Sequence, residues 1–518
     1  MQKIQILWTD DEIELLRPHI LFLKEKGFDV FTASNGHDAI ELVKKNYFDI
    51  IFLDENMPGI SGLEVLAQIK KLFPSIPIVM VTKSEEEDIM EEAIGAKISD
   101  YLIKPVIPKQ ILLAIKKNID HKRLITEKTT SSYQINFGEL GMKINSANTF
   151  EEWDIIYRDL VYWEIELDKA QDSNMDEVLK MQKNDANNAF CKFIKKNYTN
   201  WFDSKNVEKP LLSPNVLKEK VFPFFGKGKK TVLILIDNFR FDQWKTLQPI
   251  IRENYKLSEE GIFLSILPTS TQYSRNSMFA GLMPADIDKI FPNLWLDDDE
   301  DGGKNMHEEE LIRMNLNRFG FKDKFIYKKI NNLQAGQKLV ENYKDLLNHE
   351  FSVIVYNFVD MLSHARTEMK MIKELASDES AYRSLTLSWF EHSPLYELFN
   401  LLSKEEINLF ITTDHGAIRV NNPVKVVGEK NISTNLRYKQ GRSLGFNPKE
   451  VFEISDPDKV RLPKSNISSS YIFAIGEDFF AYPNNYNHYV KYYKDTFQHG
   501  GVSLEEMLIP IIRLEPKR

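Results

Sequence analysis

The sequence has little cysteine, no long apolar run and no apolar leader. Its 518 residues include one cysteine, Cys191, so an internal disulfide is impossible. No uninterrupted apolar stretch reaches the length of a membrane span. The amino terminus carries Asp10, Asp11, Glu12 and Glu14 where a secretory signal would need an apolar core. These absences favour a soluble, cytoplasmic protein.

An excess of positive charge is also missing. The formal net charge is -9, and the sequence pI is about 5.7. A protein that coats nucleic acid needs clustered Lys and Arg to neutralise phosphates. The carboxyl end, "MLIPIIRLEPKR", shows no helix-turn-helix pattern. We therefore expect no direct reading of DNA.

The length predicts two or three domains, because one core rarely organises so many residues. We place the segments at 1–121, 122–207 and 208–518. The stretch "TEKTTSSYQINFGELG", residues 126–141, is polar and poor in helical periodicity, which predicts a linker or an irregular strand-like excursion. The prolines and glycines of "EKPLLSPNV" and "FPFFGKGKK" mark the next boundary.

Short apolar runs alternate with helical patterns along residues 1–121. The runs are Ile4 to Trp8, Val30 to Phe31, Ile50 to Leu53, Ile76 to Val81 and Tyr101 to Ile103. This rhythm predicts five βα units around a parallel sheet. Functional side chains collect past the carboxyl ends of such strands. The positions that follow each run therefore matter most.

Polar side chains follow four of these runs. Asp10 and Asp11 come after the first run, Asp54 ends the third, Thr82 ends the fourth and Lys104 follows the fifth. Three carboxylates at one sheet edge suit Mg²⁺ with retained waters. A carboxylate beside that ion can act as a nucleophile on a phosphoryl donor.

This segment resembles the receiver domain of two-component response regulators, which has a flavodoxin-like fold. The resemblance implies that Asp54 is the phosphoacceptor and that a sensor histidine kinase supplies the phosphoryl group. It implies a Mg²⁺ site made by Asp10, Asp11, Asp54 and the Asn56 backbone. Thr82 and Lys104 would hold the phosphoryl group, and Tyr101 would be the aromatic switch. We expect phosphorylation to favour a homodimer.

Residues 122–207 carry helical stripes. Apolar residues recur at spacings of three and four from Trp153 to Leu167 and from Val178 to Ile194. This pattern predicts a small helical bundle. We interpret the aromatic stripe as the core of that bundle and not as a ligand site.

The carboxyl-terminal segment repeats the pattern of an apolar run followed by polar residues. The chemistry-bearing residues after these runs, and near the carboxyl end, are Asp237, Asp360, His364, Asp414, His415 and His499. Asp360 and His364 are four apart and would share one helix face. Asp414 and His415 are adjacent and point to different sides, which suits two metal ions better than one. Mixed Asp and His ligation indicates zinc.

A pair of zinc ions typically clamps an in-line displacement at phosphorus. The segment "LPTSTQYSRNS" offers Thr269, Ser270 and Thr271 as hydroxyl nucleophiles. The residues alone do not choose among them. Asn238, Arg275 and Asn276 are the nearest polar candidates for binding the non-bridging oxygens of a substrate.

The motifs "LIDNFRFDQW", "PTSTQYSR", "VDMLSH", "TTDHG" and "HGGVSLEEMLIP" resemble the PglZ branch of the alkaline phosphatase superfamily over about residues 210–518. The resemblance implies a larger α/β domain. It assigns Asp237, Asp414 and His415 to one Zn²⁺ with Thr271 as nucleophile, and it assigns Asp360, His364 and His499 to the second. A receiver fused to such a domain is similar to response regulators of the PorX type, which are linked to type IX secretion.

Two functions follow as hypotheses. The first is a zinc-dependent phosphohydrolase controlled by phosphorylation of Asp54, acting on phosphodiesters of the nucleotide type. The second is a catalytically weak signalling adaptor whose zinc domain binds a transcription or secretion protein. The stretch from Asn421 to Val460, with Arg437, Lys439 and Arg442, is either a solvated charged loop or a substrate-facing insertion.

Overall fold

The structure is a computed structural model, and it divides the chain into two compact units. One unit comprises residues 1–132 and 170–172, and the other comprises 133–169 and 173–518. The described residues are 4–73, 76–83, 98–170, 173–203, 209–295, 306–321, 325–368, 376, 378–428, 435–464, 466, 468–484 and 486–517. Within them, the side chains of 119–127, 173–174, 203 and 364–368 are not described. The division into three segments stays a prediction.

The amino-terminal unit contains a five-stranded parallel sheet in the order β2-β1-β3-β4-β5. Its strands are β1 (Gln5–Thr9), β2 (Asp29–Ala33), β3 (Ile50–Asp54), β4 (Ile78–Thr82) and β5 (Asp100–Ile103). Its described helices are Arg17–Glu25, Gly36–Lys45, Gly62–Leu72 and Pro108–Ile115. The central strands β3 and β4 are buried along their whole length because helices cover both faces of such a sheet. The predicted flavodoxin-like α/β architecture is confirmed.

A long helix, His121–Ser146, includes the stretch 126–141. The expectation of a linker or strand-like excursion there was wrong. Tyr133 and Leu140, seven residues apart, are fully buried, and the Tyr133 hydroxyl donates to Gln182 Oε1 at 3.1 Å. Trp163 Nε1 donates to Asn136 Oδ1 at 2.9 Å. Packing against helices remote in sequence therefore outweighs the weak local propensity of this stretch.

The larger unit is built on a six-stranded mixed sheet in the order β7-β18-β10-β6-β9-β8. Its strands are β6 (Lys230–Ile236), β7 (Tyr255–Leu264), β8 (Phe325–Ile330), β9 (Phe351–Tyr356), β10 (Ile407–Thr412) and β18 (Leu508–Pro516). Strands β10, β6, β9 and β8 are parallel, and β18 is antiparallel to β10 and β7. The three central strands carry the apolar runs that the sequence predicted as buried on both faces.

Helices and smaller sheets surround this sheet. The remaining described strands are β11 (Ile418–Val420), β12 (Asn422–Lys425), β13 (Tyr438–Gly441), β14 (Val451–Ile454), β15 (Ser470–Ala474), β16 (Asp478–Ala481) and β17 (Thr496–Gln498). The remaining described helices are Phe150–Ala170, Ser173–Asn197, Asn200–Asp203, Phe241–Asn254, Asn276–Ala280, Pro284–Ile290, Glu308–Arg318, Leu333–Glu341, Lys344–Leu347, Phe358–Glu368, Glu379–Glu391, Pro394–Leu402, Tyr486–Tyr493 and Leu504–Met507. Over the described ranges, no helix is long and apolar enough to cross a membrane.

The predicted helical bundle shares one continuous core with the α/β sheet. Trp153 and Phe190 are buried in the same apolar cluster as the strands β6 and β10. The Asn187 side chain accepts from Leu504 N at 2.8 Å and donates to Glu505 Oε2 at 3.0 Å. Cys191 Sγ donates to the carbonyl of Val502 at 3.2 Å. The aromatic stripe is therefore core, and the bundle supports the segment that follows β17.

The charged stretch from 421 to 460 is not a solvated loop throughout. Arg437 is fully buried, and Arg437 Nη2 lies 2.6 Å from Glu506 Oε2. Lys439 is also buried, on β13, whereas Arg442 is exposed. The solvated-loop interpretation was wrong for Arg437 and Lys439, because both side chains are buried and a buried carboxylate pairs with Arg437. The substrate-facing interpretation stays a prediction.

Candidate functional site

Two clusters of carboxylates lie at the carboxyl ends of parallel strands, one in each unit. In the amino-terminal unit, ligand atoms of Asp10, Asp11 and Asp54 lie within 4.8 Å of one another. They come together because β1 and β3 are neighbours in the sheet. Lys104 Nζ lies 2.8 Å from Asp10 Oδ2 and 2.9 Å from Asp54 Oδ1. The sequence-predicted pocket is therefore assembled in space.

Burial raises the pKa of Asp54 to about 6, although the Lys104 ammonium opposes this shift. Nearby Asp10 and Asp11 add to the rise by like-charge repulsion. A divalent cation among three carboxylates would relieve both effects. Asn56, whose backbone the resemblance assigns to Mg²⁺, lies in the exposed turn after β3. Its role stays a prediction.

Two further receiver residues are placed at the same sheet edge. The Thr82 hydroxyl donates to Glu55 Oε2 at 2.6 Å, so that bond must break before the hydroxyl can bind a phosphoryl group. Tyr101 lies on β5 with its side chain exposed. These positions are compatible with the predicted roles and do not test them.

In the larger unit, three adjacent strands deliver the predicted ligands. Asp237 follows β6, Asp414 and His415 follow β10, and Asp360 lies in the first turn of the helix after β9. The sheet order β10-β6-β9 places these strand ends side by side. Ligand atoms of Asp237, Asp414 and His415 lie within 4.8 Å of one another. These three residues, with Thr271, are called the deep cluster below.

The His415 imidazole is the centre of the deep cluster. Its Nε2 lies 3.1 Å from Thr271 Oγ1, 3.9 Å from Asp237 Oδ1 and 3.8 Å from Asp414 Oδ2. His415 Nδ1 donates to the Gly416 carbonyl at 3.1 Å. In the neutral imidazole a proton on Nδ1 leaves the lone pair on Nε2, the atom that faces the carboxylates. This is the tautomer that a metal ligand requires.

Asp360 and His499 form a second, shallower pair, called the outer pair below. His499 Nε2 lies 3.7 Å from Asp360 Oδ1, and His499 Nδ1 donates to the Thr269 carbonyl at 3.2 Å. The rings of His415 and His499 stack with centroids 4.1 Å apart. The two groups of ligands are therefore adjacent. The helix Phe358–Glu368 contains His364, but its side chain lies outside the described residues.

Arg275 lies beneath the deep cluster and is fully buried. Its guanidinium pairs with Asp237, with Asp414 Oδ2 at 3.0 Å and with Glu308 Oε1 at 3.1 Å. We expected Arg275 to bind substrate oxygens. Its burial and its three carboxylate partners make it a fixed counter-ion instead, because no face of the guanidinium is open to solvent.

Asp414 and Asp237, which both pair with Arg275, have pKa values shifted in opposite directions. Burial alone would raise the pKa of Asp414, but Arg275 and His415 outweigh burial and lower it to about 2. Burial raises the pKa of Asp237 well above its ordinary range despite Arg275. A cation at Asp237 would reverse this rise and keep the carboxylate ionised.

Glu308 is a buried carboxylate that the sequence interpretation missed. It accepts from Tyr327, and Lys329 Nζ lies 2.9 Å from its Oε2. Glu308 is the first residue of the helix Glu308–Arg318. It does not directly follow a strand, which is where the sequence interpretation looked for site residues. Its acidic neighbours Glu309 and Glu310 made it resemble an ordinary helix start, so no local signal distinguished it.

The donor atoms of the deep cluster fit a metal ion. Asp237 Oδ1 is buried and has no hydrogen-bond partner within the described ranges, which is costly unless a cation occupies that side. The set combines carboxylate oxygen, imidazole nitrogen and a hydroxyl, which suits zinc. The outer pair adds a second carboxylate and imidazole.

The three candidate hydroxyls have different surroundings. Thr269 Oγ1 donates to the Gly501 carbonyl at 2.9 Å and accepts from Gly500 N at 3.0 Å. Ser270 Oγ is buried without a hydrogen-bond partner in the described part of the chain. Thr271 Oγ1 contacts His415. Thr271 is therefore the hydroxyl of the three that touches the deep cluster.

The two predicted asparagines lie close by. Asn238 follows Asp237 with a φ of 60°, a left-handed conformation that asparagine tolerates better than most residues. Its Nδ2 donates to Asp360 Oδ1 at 3.4 Å and to Ser363 Oγ at 3.2 Å, so its amide positions Asp360. Asn276 is buried, and its Oδ1 has no partner among the described residues. Substrate contact by either stays a prediction.

Gly416 allows the strand end to approach another segment closely. A Cβ at this position would lie 2.1 Å from the Glu505 carbonyl oxygen. Glycine is required at this position for space and not for a left-handed φ. This contact fixes the backbone directly after His415.

Comparisons with known proteins agree with this geometry. Residues 216–514 match the family model of the BREX system PglZ alkaline phosphatase-like domain. Residues 6–116 match that of the response regulator receiver domain, and residues 123–202 match that of the PorX response regulator linker domain.

Curated relatives match the amino-terminal part. Transcriptional regulatory protein ZraR of Klebsiella oxytoca is 32% identical over 140 residues, which cover 27% of this chain and 32% of that protein. Alginate biosynthesis transcriptional regulatory protein AlgB of Pseudomonas syringae pv. tomato is 37% identical over 120 residues, which cover 23% and 27%. The chain thus spans about a third or less of the length of these two curated relatives.

Solved structures match the same part. A CheY-like receiver domain protein of Methanospirillum hungatei is 26% identical, covering 23% of this chain and 96% of that one with a TM-score of 0.23. A receiver domain protein of Clostridium thermocellum is 30% identical, covering 23% and 98% with a TM-score of 0.23.

Proposed function

We propose that this chain is a zinc-dependent phosphohydrolase controlled by phosphorylation of Asp54. It belongs to the PglZ alkaline phosphatase-like family and carries a response regulator receiver domain. The observation that carries the proposal is the deep cluster, in which the Thr271 hydroxyl lies 3.1 Å from His415 Nε2 and beside two carboxylates. Asp237, Asp414 and His415 would hold one zinc ion, and Asp360, His364 and His499 a second.

The hydroxyl of Thr271 and two backbone carbonyls have separate roles in this reaction. Thr271 Oγ1 attacks phosphorus in line, the P–O bond to one alcohol breaks, and that alcohol leaves with the proton that the hydroxyl gives up. The product is a threonine phosphodiester that still carries the second alcohol group, and water hydrolyses it to a phosphomonoester and free Thr271. The backbone carbonyls of Gly416 and Thr269 orient the two imidazoles through their Nδ1 protons. Bound zinc would supply the positive charge that lowers the pKa of the hydroxyl and stabilises the charged oxygens on phosphorus.

A phosphodiester is the favoured substrate class. The guanidinium that contacts the deep cluster, that of Arg275, is fully buried and committed to carboxylates. It is therefore not free to pair with the second negative charge that a phosphomonoester carries. A diester carries one negative charge at neutral pH, and nucleotide-type diesters are the biological members of this class.

The deciding test is the hydrolysis of bis(p-nitrophenyl) phosphate with zinc. Thr271→Val keeps the shape but removes the hydroxyl, so we expect kcat to fall by more than about a thousandfold. Ser270→Ala removes the neighbouring buried hydroxyl and serves as the control with nearly unchanged kcat. Equal rates for Thr271→Val and the wild type would refute the nucleophile. Tight zinc binding without turnover of any phosphoester would favour the adaptor.

Regulation would come from the receiver. A sensor histidine kinase would phosphorylate Asp54, and dimers would form through the apolar surface of β5 and the following helix, where Tyr101, Ile103, Ile107 and Leu113 are exposed. Light scattering with a beryllofluoride mimic should then show dimers. The PorX-type linker supports a cytoplasmic role linked to type IX secretion, with a transcription or secretion protein as partner.

A further inference from the structure

The turn that carries the His499 imidazole continues with two glycines. Gly500 has a φ of 122°, a conformation that residues with a Cβ rarely adopt. A Cβ on Gly501 would lie 2.6 Å from the carbonyl oxygen of Ala474. Glycine is therefore required at both positions, and neither residue has a side chain with which to fix the turn. Groups from other segments must hold residues 499–501 in place.

Thr269 supplies three hydrogen bonds that hold this turn. Its Oγ1 accepts from Gly500 N at 3.0 Å and donates to the Gly501 carbonyl at 2.9 Å. Its backbone carbonyl accepts from His499 Nδ1 at 3.2 Å. Thr269 is fully buried, and a threonine hydroxyl has one O–H to donate while it also accepts. The hydroxyl thus fixes the backbone on both sides of Gly500, and the carbonyl fixes the ring.

The segment that leads to the proposed nucleophile joins this turn to the deep cluster. At its start, Ser265 Oγ donates to the Asp414 carbonyl at 2.7 Å. At its end, Thr271 Oγ1 lies 3.1 Å from His415 Nε2. Thr269 lies between these two contacts, two residues before the proposed nucleophile. The segment therefore contacts the deep cluster at both ends, and through Thr269 it contacts the turn of the outer pair.

We propose that the Thr269 hydroxyl is a positioning group that keeps the His499 imidazole at a fixed place relative to Thr271. The inference rests on the proposed function and deepens it, because it gives a role to a hydroxyl that the sequence leaves open as a nucleophile. Without this hydroxyl, the N–H of Gly500 and the carbonyl of Gly501 lose their partner at a buried place, which costs free energy unless the turn moves. A turn that moves carries the imidazole with it.

Thr269→Val tests this role, because valine keeps the branched shape and removes the hydroxyl. Two other bonds to the turn remain in the variant. They run from Gly501 N to Glu506 Oε1 at 2.9 Å and from Asn435 Nδ2 to the His499 carbonyl at 3.2 Å. We therefore expect the variant to fold. Thr269→Ser keeps the hydroxyl and is the conservative variant.

Thr386→Val is the matched control. The Thr386 hydroxyl is buried and also makes one bond of each kind, accepting from Gln243 Nε2 at 2.8 Å and donating to the Tyr382 carbonyl at 3.0 Å. Neither partner belongs to the deep cluster or the outer pair. A general effect of two lost hydrogen bonds should therefore appear in both valine variants, whereas an effect on the position of His499 should appear in Thr269→Val alone.

Zinc titration of the metal-free, full-length protein against a competing chelator measures the effect without turnover. We expect the wild type and Thr386→Val to bind zinc alike. In Thr269→Val, zinc at the outer pair should bind about 10- to 100-fold less tightly, the usual loss when a group that orients a ligand imidazole is removed. Thr269→Ser should regain most of that affinity. Wild-type zinc affinity in Thr269→Val would overturn the inference.

A second background tests whether Thr269 acts through His499. With bis(p-nitrophenyl) phosphate as substrate, Thr269→Val should lower kcat about tenfold or more in the otherwise wild-type chain. In His499→Ala the same change should lower kcat little further, because the imidazole that Thr269 positions is absent. An equal fold loss in both backgrounds would mean that Thr269 acts independently of His499 and would contradict the proposal.

Hydrogen exchange of the metal-free wild type needs no variant. The peptide that contains Gly500 and Gly501 should be protected before zinc is added, because both N–H groups donate to buried acceptors. Exchange there as fast as in an exposed loop would rule out the clamp. The two proposals fail separately. Zinc affinity that depends on Thr269 without turnover of any phosphoester would refute the hydrolase alone, and equal turnover by Thr269→Val and the wild type would refute this inference alone.

Discussion

The carboxylate clusters of the two units use the same sheet geometry but different counter-ions. In the receiver unit, Lys104 bridges Asp10 and Asp54 with 12% of its side chain exposed. In the larger unit, Arg275 bridges Asp237 and Asp414 with none exposed. An ammonium near solvent can shift from its carboxylates towards a phosphoryl group, whereas a buried guanidinium fork cannot. The charge pairs of the receiver pocket can thus rearrange, whereas those of the deep cluster are fixed.

Replacing Arg275 and Lys104 should give the largest difference in unfolding free energy between the two units. Arg275→Met leaves buried carboxylates unpaired, so we expect the metal-free larger unit to lose about 3–5 kcal/mol of unfolding free energy. Lys104→Met should cost the receiver less, because Lys104 is itself partly exposed and Mg²⁺ can replace its charge among the three carboxylates. Urea unfolding, followed separately in each unit by hydrogen exchange, measures both. Arg275→Lys keeps the charge but not the fork and should fall between. Equal losses in the two units would contradict the comparison.

Zinc should stabilise one unit and not the other. At a zinc concentration of 100 times Kd, a single site adds about 2.7 kcal/mol to the unfolding free energy. We expect this gain in the larger unit and its loss with a chelator. Asp237→Asn should abolish most of it, since the Oδ1 without a partner is removed as a ligand. Asp11→Asn in the receiver is the matched control and should leave the zinc effect intact. Equal protection of wild type and Asp237→Asn by zinc would refute the deep site.

The smallest expected effect is a pH dependence of opposite sign for two carboxylates, Asp54 and Asp414. The folded pKa of Asp54, about 6, lies above the ordinary 3.8. Its favourable contribution is therefore complete below about pH 4 and lost as pH rises through about 6. The lowered pKa of Asp414, about 2, contributes stability above about pH 4 that is lost as pH falls through 2.

Hydrogen exchange of metal-free protein between pH 4 and 7 tests this sign. After correction for intrinsic exchange rates, β1 and β3 should become less protected as pH rises. Asp54→Asn should flatten that trend. In the larger unit Asp414 should contribute little change over this range, whereas the raised pKa of Asp237 should make the β6 peptides less protected as pH rises. A flat receiver profile in the wild type would contradict the raised pKa.

The sequence predicted the positions of the ligands better than their surroundings. Asp54, Asp237 and Asp414 could be predicted because a buried parallel strand ends at a known edge of the sheet, where polar side chains gather. The helix over 126–141 could not, since its stability depends on Tyr133 and Leu140 packing against helices far along the chain. Periodicity detects a local face and not its distant partner.

The electrostatic support of the site was the least predictable part. Arg275 lies four residues after Thr271, which made it resemble a substrate contact. Its burial depends on Glu308, which reaches it from a separate helix. The pairing of Arg437 with Glu506 was hidden for the same reason. Charge pairs between remote segments leave no spacing pattern in a sequence.

The hydrogen bonds from Asn187 and Cys191 to residues 502–505 have a practical consequence for dissecting the chain. His499 lies at the start of the segment that these bonds anchor. A shortened protein that begins at residue 208 would keep every strand of the six-stranded sheet. It would lose the hydrogen bonds from Asn187 and Cys191 that hold that segment. In such a truncation the His499 imidazole would be held less firmly at the proposed zinc site. The shortest fragment that keeps the arrangement of the full chain must therefore include the helical bundle.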